Sequence, residues 1–351
     1  MNAQSSPPAG VVLVGAGRIA RMFHLPLLQR SAVARLLAVV DPDPGARAAA
    51  AAAAPGVEVT DDLHVALARP GADAVVVATP THTHPDVALA ALAAGRHVYV
   101  EKPLAVDAAQ GRRALSAWEG SGLVAAVGHN FRFHPLLEAA RGALRRGELG
   151  SPVAVRAAFS SAPRALPAWK QQRATGGGAL LDLAVHHVDL VRWMLATEVV
   201  DVGATTSSRL SETDTALLDL RLESGPPVQL LATTSAAQGD VLEVLGSAAT
   251  LRVDRMRRRR VQVEHADASP GAAQRVVRGL RAAADDVAAA VDRLRPPPEP
   301  SFERSLEAFL RAVAGESPWT GAGLADGVAA LAVLEAAERS AASGRREAVD
   351  R

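Results

Sequence analysis

Two side chains four residues apart, Asp182 and His186, bring a carboxylate and an imidazole together in the run GGGALLDLAVHHVDLVRWM. In a helix this spacing puts both on one face, one turn apart. Most of their neighbours are apolar, and unpaired buried polar groups are costly, so the pair needs an explanation. Three interpretations are open: a hydrogen bond that only holds structure, a metal site completed by His187 or Asp189, and a pair for acid–base catalysis.

Lysine is rare in this chain: of the 38 Lys and Arg residues, only Lys102 and Lys170 are lysine. An ammonium differs from a guanidinium because burial readily lowers its pKa. Lys102 stands in the run EKP, directly after the apolar residues 98–100, where a parallel strand would end and where open α/β sheets bind ligands. The position favours a specific role for Lys102, against the alternative of an exposed loop ion pair with Glu101.

The segment 11–20, VVLVGAGRIA, has the pattern of a buried strand, a glycine turn and the start of a helix. Gly15 would permit the tight turn, and Gly17 would let a pyrophosphate approach the backbone. The phosphates would then bind the free N–H groups at the helix N-terminus. Arg18 and Ile19 follow in the same turn, and we expect them to contact the cofactor as well.

Asp41 lies 24 residues after Gly17, at the end of the next apolar run. This is near the spacing of the carboxylate that accepts the adenosine ribose hydroxyls. A carboxylate there would repel a 2′-phosphate, so NAD is favoured over NADP. The alternative is a helix N-cap, since Asp41 and Asp43 both precede Pro44, a residue suited to the first helical position.

The elements that must position these residues follow from the apolar pattern. Residues 11–130 alternate apolar runs of four to six residues with helical stretches, which is typical of βαβ units and a doubly wound parallel sheet. Strand-like runs without intervening helices follow at 199–206, 215–222, 228–235, 241–246 and 250–263. They indicate an open, mostly antiparallel sheet in an α+β domain. We therefore expect a dinucleotide-binding Rossmann domain over 1–129 and a domain for substrate binding and oligomerisation over 130–351.

Composition excludes several classes of protein. The 351 residues contain no cysteine, which excludes disulfides, thiolate zinc sites and a cysteine nucleophile. A formal net charge of +1 argues against a dedicated nucleic-acid binder. The N-terminal run MNAQSSPPAG does not have the form of a secretory signal, and no apolar window is long enough to cross a membrane. We expect a soluble, cytoplasmic protein.

Several motifs together resemble the Gfo/Idh/MocA family of nicotinamide-dependent sugar and cyclitol oxidoreductases. The resemblance covers most of the chain and rests on the motifs VVLVGAGRIA, VVVATPTHTHPDVALAALAAGRHVYVEKPLA, VGHNFRFHP, GGGALLDLAVHHVDLVRWM and LADGVAALAVLEAAERSAASGR. It implies an NAD-dependent dehydrogenase or reductase that acts on CH–OH groups, with the active site between two domains. Because the outer face of the second sheet commonly forms the oligomer in that family, it also implies a homodimer or homotetramer.

The resemblance also assigns roles to individual residues. It puts Lys102 near the nicotinamide and substrate, where it forms a catalytic triad with Asp182 and His186; no metal is required. Thr79, His84 and Glu101 look like residues around the nicotinamide ribose, and Pro80 and Asn130 look like further cofactor contacts. Trp169 and Lys170 resemble a tryptophan–cation pair that some members aim at cofactor or substrate. His187 is a weaker substrate candidate, because it points about 100° away from His186.

Hydride removal from a secondary alcohol also requires removal of the hydroxyl proton. We expect His186 to be the base and Lys102 to stabilise negative charge on the oxygen. Asp182 would orient the imidazole or bind a neighbouring substrate hydroxyl. Two other functions stay open on the same fold: an NAD-dependent glycoside hydrolase and a non-enzymatic sugar or cofactor sensor.

Two features remain without an assigned function. Arg257–Arg260 is a run of four arginines that is typical of a solvated hairpin edge, although it could also bind a phosphate-bearing substrate. The segment 271–295 has the apolar spacing of an amphipathic helix.

Overall fold

The structure is a computed structural model, and it describes residues 7–265 and 299–350. The predicted helix at 271–295 lies outside the described residues. Within the described part of the chain, no helix is both long and apolar enough to cross a membrane.

The first sheet has six parallel strands in the order β3-β2-β1-β4-β5-β6. The central strands are buried along their whole length, as expected for parallel strands that have helices on both faces. The doubly wound parallel sheet predicted from the sequence is confirmed. The strands are β1 (Ala9–Val14), β2 (Ala34–Val40), β3 (Glu58–Thr60), β4 (Ala74–Val77), β5 (His97–Val100) and β6 (Ala125–Val127).

Helices connect these strands, and a sixth helix follows the last of them. Several begin at side-chain caps: Asp43, Asp62 and Asp107 each accept backbone N–H bonds at a helix N-terminus. The helices are α1 (Leu25–Arg30), α2 (Pro44–Ala53), α3 (Leu63–Leu67), α4 (His84–Ala93), α5 (Ala108–Trp118) and α6 (Pro135–Arg145).

The second sheet has eight strands in the order β13-β12-β11-β7-β10-β9-β8-β14 and is antiparallel except where β10 runs parallel to β7. The open, mostly antiparallel sheet predicted from the sequence is thus confirmed. The predicted strand 250–263 is instead two strands, with the arginine run in the connection between them. The strands are β7 (Pro152–Ser160), β8 (Val199–Ser207), β9 (Thr215–Leu222), β10 (Val228–Thr233), β11 (Gly239–Gly246), β12 (Ala249–Asp254), β13 (Gln262–His265) and β14 (Glu347–Ala348).

Three further helices complete the described chain: α7 (Val185–Leu195), α8 (Ser301–Val313) and α9 (Leu324–Ser343). Helix α9 packs against both α5 and β8, so it joins the two sheets. Helix α8 returns to the first sheet, where Phe309 lies in the same apolar core as β1 and meets the ring of Tyr99 edge-on at 5.5 Å. The apolar core of the first sheet is therefore completed from the far end of the chain.

Candidate active site

Lys102 reaches the second half of the molecule. It follows β5 at the carboxyl edge of the first sheet, and its Nζ donates a 2.7 Å hydrogen bond to the backbone oxygen of Asp182. The same Nζ lies 3.5 Å from Asp182 Oδ1, with only 15% of the lysine side chain exposed. Burial lowers the pKa of Lys102, and the nearby Lys170 lowers it further, whereas Asp182 acts in the opposite direction. The structure thus brings Lys102 to the predicted Asp182–His186 segment.

The segment that carries Asp182 and His186, for which the sequence analysis assumes helical spacing, is not a single regular α-helix. It opens with a π-helical turn over Leu180–Ala184 and becomes α-helical only at Val185. A π-turn disturbs the regular i→i+4 bonding of the backbone and occurs frequently at functional sites. Here the Asp182 carbonyl faces outward to Lys102, so the backbone as well as the carboxylate of Asp182 contributes to the site.

The second lysine contacts the same carboxylate. Lys170 Nζ donates to Asp182 Oδ1 at 2.6 Å, and it lies 5.3 Å from the centre of the Trp169 ring. Burial works against the charged form of Asp182, but the ammonium groups of Lys170 and Lys102 outweigh it and hold the pKa of the carboxyl well below its usual range. Asp182 is therefore ionised throughout the working pH range.

The loop that presents Lys170 is anchored at several points. Arg173 pairs with Glu338 on α9, and Thr175 Oγ1 donates to the Trp169 carbonyl at 2.7 Å. A Cβ on Gly177 would lie 2.4 Å from the Lys170 carbonyl, and one on Gly176 would lie 2.4 Å from the Cβ of Thr81. The glycines thus allow the loop to pack closely on itself and on the strand end after β4.

His186 is buried, with 6% of its surface exposed, and its ring stacks on Phe131 at a centroid distance of 4.1 Å and an angle of 18°. Within the described chain, no hydrogen bond joins it to Asp182, and its Nδ1 has no partner. The expectation that Asp182 orients the imidazole is therefore wrong, because Lys170 and Lys102 take that carboxylate. Burial, followed by the charge of Lys102, lowers the pKa of His186 well below its usual value.

His187 points elsewhere. Its Nε2 donates to Asp240 Oδ1 at 3.0 Å, and only 2% of the residue is exposed. This nitrogen is committed to a buried carboxylate, so it is not available to a substrate. Nor does the described part of the chain contain a group of three or more His, Asp or Glu side chains arranged to hold a metal ion.

The glycine turn after β1 provides a cradle for a dinucleotide. A Cβ on Gly15, whose φ is 95°, would lie 2.6 Å from the Ala78 carbonyl, whereas one on Gly17 would meet no atom within 4 Å. Gly15 is thus required by the fold, and Gly17 leaves open space above the turn. Arg21 N donates to Gly17 O, so the helix begins here and leaves the N–H groups of Arg18 and Ile19 without intrahelical acceptors.

Asp41 faces this turn. Its Oδ2 accepts from Ala16 N at 2.7 Å and its Oδ1 from Asp43 N at 2.9 Å. The N-cap of α2 is Asp43, whose Oδ1 accepts from Ala46 N. The capping alternative therefore applies to Asp43, and Asp41 is held beside the cradle. A free N-terminal turn, an open glycine and an adjacent carboxylate together fit a bound NAD.

The other predicted cofactor contacts lie at neighbouring strand ends. The ring nitrogens of His84 lie 2.8 Å from the Pro103 carbonyl and 2.9 Å from the Thr79 carbonyl, so this buried side chain ties the loops after β4 and β5 together. Burial lowers its pKa. Thr79 Oγ1 accepts from Thr83 at 2.8 Å, and Pro80, between them, is half-buried.

Glu101 and Asn130 are committed to partners that the sequence did not predict. His24, at the end of a π-helical turn over Ala20–His24, donates from Nε2 to Glu101 Oε1 at 2.7 Å. Burial opposes the charge on Glu101, but this bond and the charges around it keep its pKa below the usual value. Asn130 Nδ2 donates to Ser301 Oγ at 2.8 Å. No sequence spacing links these pairs, since their members are 77 and 171 residues apart.

Comparisons with known proteins agree with this architecture. A family model described as "Oxidoreductase family, NAD-binding Rossmann fold" (GFO_IDH_MocA) matches residues 9–129, and "GFO/IDH/MocA C-terminal domain" matches residues 137–252. An inositol 2-dehydrogenase of Rhizobium meliloti is 32% identical over 342 residues, which cover 95% of this chain and 97% of that protein. The scyllo-inositol 2-dehydrogenase (NAD(+)) of Bacillus subtilis is 28% identical over 267 residues, 73% of this chain and 77% of that protein.

Solved structures give the same result. The WlbA dehydrogenase from Bordetella pertussis, in complex with NADH and UDP-GlcNAcA, superposes with a TM-score of 0.82 at 26% identity and covers 98% of both chains. GenD2 from gentamicin A biosynthesis, in complex with NAD, superposes with a TM-score of 0.81 at 28% identity and covers 100% of this chain and 99% of that one.

Proposed function

The chain belongs to the Gfo/Idh/MocA family of NAD-binding oxidoreductases, and from this membership we propose that it transfers a hydride between NAD and a secondary alcohol or ketone of a cyclitol, sugar or amino sugar. The observation that carries the proposal is the contact between Lys102 and Asp182, at 2.7 Å from Nζ to the backbone oxygen. It joins the strand end beside the cofactor cradle to the helix of the buried His186. The relatives named as inositol dehydrogenases support a polyhydroxylated ring as substrate.

In this proposal His186 accepts the proton of the reacting hydroxyl during oxidation and returns it during reduction. Burial keeps the imidazole neutral, and the neutral ring is the form that can accept a proton. Lys102 contributes an ammonium that stabilises negative charge as it develops on the same oxygen. NAD, when bound, supplies the hydride acceptor.

For Asp182 we propose the second of the two roles expected from the sequence. Because Lys170 holds Oδ1 and the carboxyl stays ionised, the group is an acceptor and not an acid. We propose that it binds a hydroxyl next to the reacting carbon. A substrate with two adjacent hydroxyls, as in inositols and pyranose sugars, would place one on Asp182 and the other between Lys102 and His186.

For the cofactor we propose the residues of the cradle and the strand ends around it. The free N–H groups of the first helical turn would bind the pyrophosphate, and Asp41 would accept the ribose hydroxyls of the adenosine and favour NAD over NADP. We propose these cofactor contacts: Gly15, Gly17, Arg18, Ile19, Asp41, Thr79, Pro80, His84, Glu101, Lys102, Asn130, Trp169 and Lys170.

We also propose that the functional protein is a homo-oligomer that works in the cytoplasm, where NAD is supplied. The outer face of the second sheet supports this, because it contains a recess of about 600 Å³ around Leu217, an apolar side chain that is 52% exposed. Pairs between arginine and carboxylate, such as Arg156 with Glu243, surround this apolar centre. We place the boundary between the dinucleotide-binding and substrate-binding parts after residue 129, with α8 returning to the first part.

The test is a screen of the purified protein with NAD⁺ and NADP⁺ against inositols, sugars and amino sugars, followed by the absorbance of the reduced cofactor. We expect reduction of NAD⁺ with at least one polyol, and none with the double variant Lys102→Met, His186→Gln. Release of free sugar from a glycoside without net NADH would identify a hydrolase instead. Tight sugar binding with neither reaction would identify a sensor, and either result would overturn the proposal.

A further inference from the structure

Among the residues that the structure describes, none supplies His186 with the carboxylate partner that often orients a catalytic imidazole. What holds its plane is Phe131, which lies almost parallel to it at 4.1 Å. Phe131 itself is 5% exposed and follows β6 in the run HNFRF. A second ring, that of Phe159 on β7, approaches His186 at 5.9 Å with a tilt of 59°. The orientation of the imidazole therefore rests on ring contacts from two elements outside its own helix.

Phe131 also contacts a charge. The guanidinium carbon of Arg255 lies over the Phe131 ring, 3.8 Å from its centre. Two planar groups this close to one ring centre would collide on the same face, so we infer that the guanidinium and the imidazole cover opposite faces and form a three-layer stack with the phenyl ring. Since both outer groups are measured to the same ring centre, Arg255 and His186 lie at most about 8 Å apart.

Arg255 is itself fixed. Its Nε donates to Asp240 Oδ2 at 2.7 Å, Nη2 lies 2.7 Å from the same oxygen, and Nη1 pairs with Glu299. Asp240 also accepts from His187, so one buried carboxylate connects the neighbour of His186 to the guanidinium of the stack. With 9% of Arg255 exposed, the arginine cannot swing away without breaking these bonds.

The charges around His186 come from several elements. Lys102 lies after β5, His129 after β6, His187 on α7 and Arg255 after β12, and each disfavours a positive imidazole. The carboxylates nearby are already engaged: Asp182 with the two lysines, and Asp240 and Glu299 with Arg255. Among the residues that the structure describes, a proton added to His186 would therefore meet the cations Lys102 and Arg255, whereas these three carboxylates already have partners.

We propose that Phe131 and Arg255 are positioning residues for His186: the phenyl ring fixes the plane of the imidazole, and the guanidinium that contacts this ring adds to the effect of burial in keeping the resting imidazole neutral. The inference rests on the proposed function for its catalytic consequence, but it concerns a property of the protein alone. In the ground state a neutral ring is ready to take a proton. During the reaction, negative charge on the substrate oxygen weakens the repulsion between a protonated His186 and the nearby cations. His186 therefore accepts the proton when this charge develops and not in the resting enzyme.

The claim that Arg255 disfavours a positive imidazole is the charge part of the proposal. It is tested by titrating the His186 ring in the cofactor-free protein by NMR, with His186→Gln used to assign its signals. Arg255→Gln removes the cation and leaves Asp240 and Glu299 uncompensated, so the pKa of His186 should rise by about one pH unit. Arg141→Gln is the matched control, because Arg141 also covers an aromatic ring, Trp193, at 4.2 Å, but in another part of the molecule. It should leave the titration unchanged.

Loss of a buried partner can prevent folding, so a second variant is included. The double change Arg255→Gln, Asp240→Asn removes both members of the buried pair and should raise the pKa of His186 less than Arg255→Gln alone. If the pKa of His186 in both variants is the same as in the wild type, the charge part is overturned.

The claim that the Phe131 ring fixes the plane of the imidazole is the plane part of the proposal. It is tested with Phe131→Leu, which keeps an apolar side chain but removes the flat surface. We expect kcat to fall about tenfold or more, with KM nearly unchanged and the His186 titration close to that of the wild type. Wild-type kcat in Phe131→Leu would contradict this part. If the wild-type protein oxidises no polyol, the proposed function fails, while the titration still decides the charge part independently.

Discussion

Asp182 contacts both lysines of the candidate site. Its carboxylate faces two ammonium groups, and its backbone oxygen accepts from one of them. An acid with such neighbours does not exchange protons in the working pH range, so its contribution is a fixed negative charge and an acceptor. In the proposed reaction the proton transfer is left to His186, whose Nδ1 has no partner in the described part of the chain.

Replacing Asp182 with asparagine tests this division of roles. Asp182→Asn should lower kcat/KM by about 10² or more, because a buried acceptor for a substrate hydroxyl and a partner of Lys102 are lost. The loss should have the same size from acidic to neutral pH, since the wild-type carboxyl does not titrate there, and it should grow at alkaline pH because Asp182 raises the pKa of Lys102. A deficit that disappears at low pH would instead show that Asp182 gains a proton in that range.

Lys170 should set the pH range in which Lys102 is active, because its charge lowers the pKa of Lys102. Only the protonated Lys102 stabilises an oxygen anion, so activity is expected to fall as the pH rises through the pKa of Lys102. Lys170 lowers that pKa, so Lys170→Met should raise it and move the alkaline limb of the pH–rate profile upward by about one pH unit.

The control for this prediction is Lys170→Arg, which keeps the cation and should keep the alkaline limb close to its wild-type position. Steady-state rates over the alkaline range decide between the two. If the alkaline limb does not move in Lys170→Met, then Lys170 does not affect the pKa of Lys102 during turnover.

Two glycines of one element, the turn after β1, should behave in opposite ways. Gly15→Ala would force a Cβ to 2.6 Å from a backbone oxygen at a φ of 95°, so it should lower stability by about 2 kcal/mol or more. Gly17→Ala has room in the cofactor-free protein and should leave Tm unchanged, but weaken NAD binding about tenfold or more, because its methyl group would occupy the path of the pyrophosphate.

Thermal unfolding without cofactor and calorimetric titration with NAD measure the two effects separately. Unchanged NAD affinity in Gly17→Ala would remove the open space above the turn from the cofactor site.

At the scale of elements, much of the fold could be predicted because buried parallel strands are continuous apolar runs. Thus the apolar residues 98–100 predict a strand end where β5 ends. The edge strand β3 was missed, since its three half-exposed residues EVT carry no such signal. The π-turns before α1 and α7 were also missed, because one extra residue in a turn barely changes the apolar period of a helix.

The candidate site was predictable only where its residues lie in short motifs. Lys102 and His186 could be identified from their local sequence, whereas the contact of His24 with Glu101 and that of Arg255 with Phe131 join distant parts of the chain. Such pairs depend on how the sheets and helices pack, and a single sequence does not encode that in any spacing. The same limit applies to Asp182, because its partner Lys170 lies on a loop and not on the helix that carries Asp182.

At the scale of the whole molecule, the return of α8 makes the first sheet depend on the C-terminal part of the chain. The hydroxyl of Tyr99 on β5 lies 3.0 Å from Ser305 Oγ on α8, and Phe309 fills the core beside it. Sequence order alone would have assigned residues 301–313 to the second domain. This packing also orders Ser301, which holds Asn130 beside the candidate site.

The proposed oligomer should depend on the outer face of the second sheet. Leu217→Glu puts a charge at the apolar centre of that face, and the measured mass in solution should fall to that of one chain. Leu210→Glu is the matched control, because Leu210 is 68% exposed but lies outside the strands of this face. Light scattering after size exclusion measures both, and an unchanged mass for Leu217→Glu would exclude this face as the interface.

The central claim is that one substrate oxygen meets both the ammonium of Lys102 and the imidazole of His186. A crystal structure of the protein with NAD and an oxidisable polyol measures this directly. We expect a single hydroxyl oxygen within about 3.2 Å of Lys102 Nζ and of a His186 ring nitrogen, with the carbon that carries it facing the nicotinamide. A polyol bound with these two side chains on different oxygens, or away from both, would contradict the account.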